Sequence, residues 1–108
     1  MAKEVGVTVL AEAKSGGAFV VDVREPDEYE GGHVPGAHLL PLGELASRAG
    51  ELPKDQTLYV ICATGKRSMM AAEWLSKAGY DAVSVGGGTA AWQQAGHPVV
   101  EGTSETTS

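Results

Sequence analysis

Apolar positions along the 108-residue chain fall in short runs separated by glycine, proline and charged residues. Ala18-Phe19-Val20-Val21-Asp22-Val23 is rich in β-formers and bounded by glycine, and it predicts a buried strand. Ala37 to Leu42, after the Pro35-Gly36 turn, predicts a second short strand. Thr57-Leu58-Tyr59-Val60-Ile61-Cys62 is the clearest strand, and Ala82 to Val85 is a fourth, closed by Gly86-Gly87-Gly88. Between these runs the spacing becomes helical. Thr8 is placed to cap a short helix through Val9, Leu10, Ala11 and Ala13, stopped by Ser15-Gly16-Gly17. Pro26 opens an acidic helical turn through Tyr29, ended by Gly31-Gly32. Gly43 to Leu52 predicts an exposed helix. Arg67 to Ala78 sets Met70, Ala71, Trp74, Leu75 and Ala78 on one face, so Trp74 is expected in the core, with Gly79 as the residue beyond the cap. Thr89 is placed to cap a last helix through Trp92, stopped by Gly96-His97-Pro98. Residues 101–108 are Gly, Thr, Ser and Glu, and a frayed tail is expected there.

Strands alternating with helices predict one α/β domain over residues 1–100, with a mostly parallel sheet covered by helices on both faces. Ligands of such sheets bind beyond the carboxyl ends of the strands, here the loops after Val23, Ile61 and Val85. Apolar residues at 43% and charged residues at 20% exclude a disordered chain, a collagen and a coiled coil. The longest apolar run, Leu58–Ala63, is far too short to cross a membrane. Met-Ala-Lys-Glu lacks the apolar core of a signal peptide, so a cytoplasmic protein is expected. Cys62 is the one cysteine, which excludes an internal disulfide. The formal net charge is −6, but residues 62–98 set Lys66, Arg67 and Lys77 against Glu73 and Asp81 alone. No basic stripe exists, so neither nucleic acid nor a membrane is an expected partner, while a small anion is welcome near Lys66 and Arg67.

The loop Cys62-Ala63-Thr64-Gly65-Lys66-Arg67-Ser68 joins the clearest strand to the clearest helix. A lone cysteine closing an apolar strand is ordinarily a small buried hydrophobe. The residues after it change that reading. Gly65 permits a positive φ, so a short loop can curl with its amides inward. Such a curl is an anion nest, and the helix N-terminus behind it adds partial positive charge. Arg67 supplies a guanidinium fork for an oxyanion and Lys66 a mobile charge. A thiol placed there is expected as the thiolate, which is the nucleophile.

Cys62-x-x-x-x-Arg67 resembles the active-site loop of the rhodaneses, the thiosulfate sulfurtransferases. Asp22-Val23-Arg24-Glu25-Pro26-Asp27-Glu28-Tyr29, followed by Gly32-His33-Val34-Pro35-Gly36-Ala37, is similar to the family's N-terminal signature. Gly86-Gly87-Gly88-Thr89-Ala90-Ala91-Trp92, ending in Gly96-His97-Pro98-Val99, resembles its C-terminal signature. The resemblance implies a five-stranded parallel sheet flanked by helices, a single-domain form, and no cofactor. It further implies that Cys62 is catalytic and cycles through a persulfide, and that Ala63, Thr64, Gly65, Lys66, Arg67 and Ser68 bind the substrate. An anionic sulfane-sulfur donor such as thiosulfate would load Cys62. Cyanide, a thiol or a carrier protein would unload it, and sulfite leaves without needing a general acid.

Competing readings are weaker. A cysteine phosphatase calls for five residues between Cys and Arg, and this chain has four. It also wants an acid at the leaving group. A sulfur-relay or binding module of the same fold stays open, although Cys62 and Arg67 are both present. Gly65-Lys66 lacks the rest of a P-loop, with Val60 and Arg67 at the required Gly and Ser/Thr positions. Gly86-x-Gly88-x-x-Ala91 has too little chain after it for a dinucleotide site. His33, His38 and His97 show no zinc spacing, and no metal is expected; His33 reads as a hydrogen bonder of its turn. Asp22 and Arg24 read as an ion pair or loop anchor. Trp92 fits either a core staple or the pocket rim. Glu25, Asp27, Glu28 and Glu30 read as a solvated acidic turn.

Overall fold

The computed structural model describes residues 2–102. Its elements are β1 (Lys3–Val5), α1 (Val7–Ser15), β2 (Phe19–Asp22), α2 (Pro26–Glu30), β3 (His38–Leu39), α3 (Leu45–Arg48), β4 (Leu58–Ile61), α4 (Lys66–Lys77), β5 (Ala82–Val85) and α5 (Gly88–Gln94). The five strands form one sheet in the order β1-β5-β4-β2-β3. Every pairing is parallel, with Asp22 beside Ile61 and Val60 beside Ser84. β4 is therefore the middle strand, and the chain runs from it directly into the Cys62 loop.

The alternation of side chains along buried strands sorts the core into two layers. Leu58, Val60 and Cys62 face one layer together with Val21, Ala71 and Leu75. Ile61 faces the other with Val20, Leu10, Val85 and Trp92. A middle strand apolar on both faces is what a sheet covered on both sides requires.

One strand has no counterpart in the sequence reading, and two local readings are corrected. β1 has no apolar run to announce it, since Lys3 and Glu4 are exposed; pairing to β5 and a Gly86 N–H donated to the Val5 carbonyl at 2.7 Å hold it in the sheet. The strand expected over Ala37–Leu42 narrows to His38–Leu39. Pro41 has no N–H to donate, yet the N–H groups of Leu40 and Leu42 still reach the carbonyls of Asp22 and Val23. The helix expected over Gly43–Leu52 breaks into a 3₁₀ turn (Leu42–Glu44), α3 and a second 3₁₀ turn (Ala49–Glu51). Gly43 and Gly50 weaken a continuous helix, and the segment buries Leu45, Ala49 and Leu52 rather than lying fully exposed.

Capping and helix orientation differ as well. Gly6 and Gly87, not Thr8 and Thr89, stand at the helix starts, and neither helix has a side-chain cap. α4 buries Ser68, Ala71, Ala72 and Leu75, a stripe of mostly small residues at helical spacing. The face next to it carries Met70 and Trp74, which are 54% and 41% exposed. Trp74 is thus not a core residue; with Met70, Leu42, Leu45 and Ala46 it lines an open apolar groove. Trp92 is the core tryptophan, 3% exposed, its indole N–H donated to the Pro98 carbonyl. Near the end of the described chain, Val100 bridges to His33 and the Gly102 N–H reaches the Glu30 carbonyl. The rest of the expected tail, 103–108, lies outside the described residues.

Candidate active site

Cys62 follows the last residue of β4 and is 1% exposed. The loop curls back over it because Gly65 takes φ +114°, a left-handed conformation that a side chain rarely adopts. That turn aims the Gly65 N–H at the Cys62 sulfur, 3.0 Å away. Ser68, in the first turn of α4, puts its hydroxyl 3.5 Å from the same sulfur. Burial pushes the Cys62 thiol up, but the Ser68 hydroxyl and the N–H groups of Ser68, Gly65 and Thr64 outweigh it and hold the thiol below its ordinary value.

The loop is braced from behind by α5. The Thr89 N–H and hydroxyl both donate to the Cys62 carbonyl, at 2.8 and 3.0 Å, and the Ala90 N–H donates to the Ala63 carbonyl at 3.1 Å. Gly88 lies so close that a Cβ there would come within 2.4 Å of the Cys62 carbonyl oxygen. Thr89, read from sequence as a helix cap, is a brace for the thiol loop.

The cations are not equivalent. Arg67 forks onto Glu28 with bonds of 2.7 and 2.9 Å, reaching from α4 to α2. Glu28 also accepts the Glu25 N–H, closing a capping box at the start of α2. The Arg67 bonds lower the Glu28 carboxyl to about 2, against an opposing contribution from burial. Glu28 is therefore not part of a merely solvated acidic turn; it occupies the fork expected to hold an oxyanion. Lys66 is exposed and makes no ion pair among the described residues. Thr64 is exposed, while Ala63 and Gly65 are half-buried.

Other residues singled out from sequence are accounted for. Arg24 grips Asp22 through its guanidinium at 2.9–3.2 Å and through its own N–H at 3.0 Å, and also reaches the Gly32 carbonyl. This buried pair is the loop anchor the sequence suggested. His33 Nδ1 lies 2.7 Å from the Tyr29 carbonyl, within its own turn, and its ring stacks on Tyr29. His38 meets Glu51 and His97 stacks on Trp92, so the three histidines serve separate places. Two residues near the site were misjudged from sequence: Glu28 was read as part of a solvated turn, and Ser84 was passed over. A capping-box pattern marked the first, and a lone hydroxyl in an apolar strand marked the second.

A five-stranded parallel sheet whose middle strand ends in a thiol held by inward-turned amides defines a small α/β domain built around a cysteine loop. The sequence matches the rhodanese-like domain over residues 7–95, and the chain belongs to that family. It is 37% identical over 83 residues to a sulfurtransferase of Allochromatium vinosum, covering 76% of this chain and 78% of that protein. It is 47% identical over 64 residues to a Bacillus subtilis protein provisionally named a sulfur carrier, covering 59% of this chain. The match spans 35% of that longer relative. Among solved structures, a rhodanese-related protein of Thermoplasma volcanium aligns with a TM-score of 0.86 at 37% identity, over 91% of this chain and 97% of that chain. No helix among the described residues is long and apolar enough to cross a membrane.

Proposed function

We propose that this protein is a sulfurtransferase that takes a sulfane sulfur from an anionic donor such as thiosulfate, carries it as a persulfide on Cys62, and passes it to a thiophilic acceptor. The observation that carries this reading is the Gly65 N–H held 3.0 Å from the Cys62 sulfur, at the start of a 12-residue helix. Amides and a helix N-terminus converging on sulfur favour an anion there, first the thiolate and then the terminal sulfur of the persulfide. Support for the reaction class comes from the relatives named as a sulfurtransferase and, provisionally, as a sulfur carrier.

The chemistry balances without a cofactor. The thiolate attacks the outer sulfur of thiosulfate; the new S–S bond forms as the old one breaks, and sulfite leaves with the electron pair. An acceptor such as cyanide, a thiol or a carrier protein then attacks the outer sulfur of the persulfide, and Cys62 leaves as the thiolate. Lys66 steers the donor, and Arg67 holds α2 against the loop through Glu28. A free thiol with this task suits a reducing compartment, and we assign the cytoplasm. The phosphatase alternative is disfavoured because Glu28 already fills the guanidinium fork that a phosphoryl group would need.

Intact-mass measurement tests the reading. Thiosulfate should add the mass of one sulfur atom, and cyanide should remove it. Cys62→Ser should abolish both steps. Unchanged sulfurtransferase activity in Cys62→Ser, or turnover of an aryl phosphate in place of sulfur transfer, would overturn the assignment.

A further inference from the structure

Ser84 is the third residue of β5 and is wholly buried. It pairs with Val60 in the sheet, and its hydroxyl meets the Ser68 hydroxyl at 2.7 Å, its partner among the described residues. A hydroxyl buried in an apolar strand is unfavourable unless it is hydrogen-bonded, so its partner matters. Ser68 is itself wholly buried, and its oxygen lies 3.5 Å from the Cys62 sulfur, 3.1 Å from the Gly65 carbonyl and 2.7 Å from Ser84.

Ser68 has one hydrogen for these three neighbours. With Cys62 as a thiol, the S–H can donate to Ser68, and Ser68 donates to the Gly65 carbonyl. The Ser84 O–H can then take the second lone pair of the Ser68 oxygen, and it strengthens the Ser68 bond to the Gly65 carbonyl rather than one to sulfur. With Cys62 as a thiolate, the Ser68 O–H turns to the sulfur. The Ser84 O–H then donates to Ser68 head to tail, and each bond in the chain polarises the next. We propose that Ser84 is a positioning residue whose hydroxyl aims the Ser68 O–H at the Cys62 sulfur and so favours the thiolate. The charged groups around the cradle are Lys66, exposed at the start of α4, Arg67, whose guanidinium feels both Cys62 and Asp22, and Glu28 and Arg24 beyond it. β5 and the first turn of α5 present no charge, and the Glu4 carboxylate lies over Gly86. None of these is altered by a change at Ser84.

The proposal deepens the assignment of Cys62 as the sulfur-bearing nucleophile, yet its test needs no turnover and survives failure of that assignment. Ultraviolet thiolate absorbance, with the Cys62→Ser spectrum subtracted, reports this single thiol across pH. Ser84→Ala should raise the titration midpoint by about half a unit to one unit, the size of one hydrogen bond. Ser84→Thr, which keeps the hydroxyl, should return it towards the parent value. In a Ser68→Ala background, Ser84→Ala should add no further shift. An unchanged midpoint in Ser84→Ala would overturn the proposal. So would equal shifts with and without Ser68, because Ser84 would then act independently. A purely structural serine would lower the thermal midpoint while leaving the thiol titration in place, which also counts against the proposal.

Discussion

Two arginine–carboxylate forks stand after neighbouring strands, and their difference shows what burial does to the same chemistry. Asp22 ends β2 and Arg24 lies just beyond it, with side chains 0% and 7% exposed; Arg67 and Glu28 join α4 to α2, with side chains 33% and 34% exposed. Both forks are bidentate. The first is out of water, and backbone groups of Arg24 and Gly32 share in it. Losing either partner there strands a charge in the interior. The second sits at the surface beside the thiol loop, where water can replace a lost partner. The buried fork therefore acts as a permanent anchor. The half-exposed fork is a clasp whose strength follows pH.

The largest effect expected from this contrast is on stability. Asp22→Ala should destabilise the fold by about 3–5 kcal/mol, because Arg24 is left charged and unpaired. Urea unfolding with an unchanged slope would measure it. A loss no greater than that of Glu28→Gln would erase the distinction between anchor and clasp.

Arg67→Ala comes next, read in turnover. The clasp is worth under about 1 kcal/mol, so its loss should cost up to about fivefold in kcat/KM for thiosulfate. Loss of the clasp loosens the loop, so the deficit should persist at high salt. Lys66→Ala should cost less, and its deficit should shrink as salt rises. Equal, salt-insensitive deficits in the two variants would show that the cations share one role.

The smallest effect is the acid limb of the clasp. The Glu28 carboxyl is lowered to about 2 by Arg67, so its folded value lies below its unfolded one. The pair's contribution is complete above the ordinary carboxylate range near 4.5 and is lost as pH falls towards about 2. Solvent screening at this exposure keeps that contribution under about 1 kcal/mol. Glu28→Gln should therefore narrow its stability difference from the parent between pH 5 and 2, as followed by thermal unfolding. A difference that widens as pH falls would reverse the sign and remove the clasp.

How much of this was legible beforehand depends on the range of the interaction involved. β2, β4 and β5 stand where short β-rich runs bounded by glycine placed them, since a strand buried on both faces carries its signal in consecutive residues. β1 carried none, because Lys3-Glu4-Val5 is an edge strand held by its partner rather than by its own apolar pattern. Trp74 was misplaced for a related reason. Helical spacing put it on a common face with Leu75, but the small side chains of Ser68, Ala71 and Ala72 turned a neighbouring stripe towards the sheet.

The thiol loop divides along the same line. Sequence by itself determined that Cys62 closes the clearest strand, that Gly65 can reverse the backbone three residues later, and that a helix begins there, because each is a local matter of chain geometry. Only the tertiary structure decided that Thr89 and Ala90 brace the loop's carbonyls, that Glu28 holds Arg67 and that Ser84 stands behind Ser68. Each of those contacts joins residues 16 or more positions apart. Their geometry depends on which strands lie side by side in the sheet, a choice that no spacing within either segment encodes.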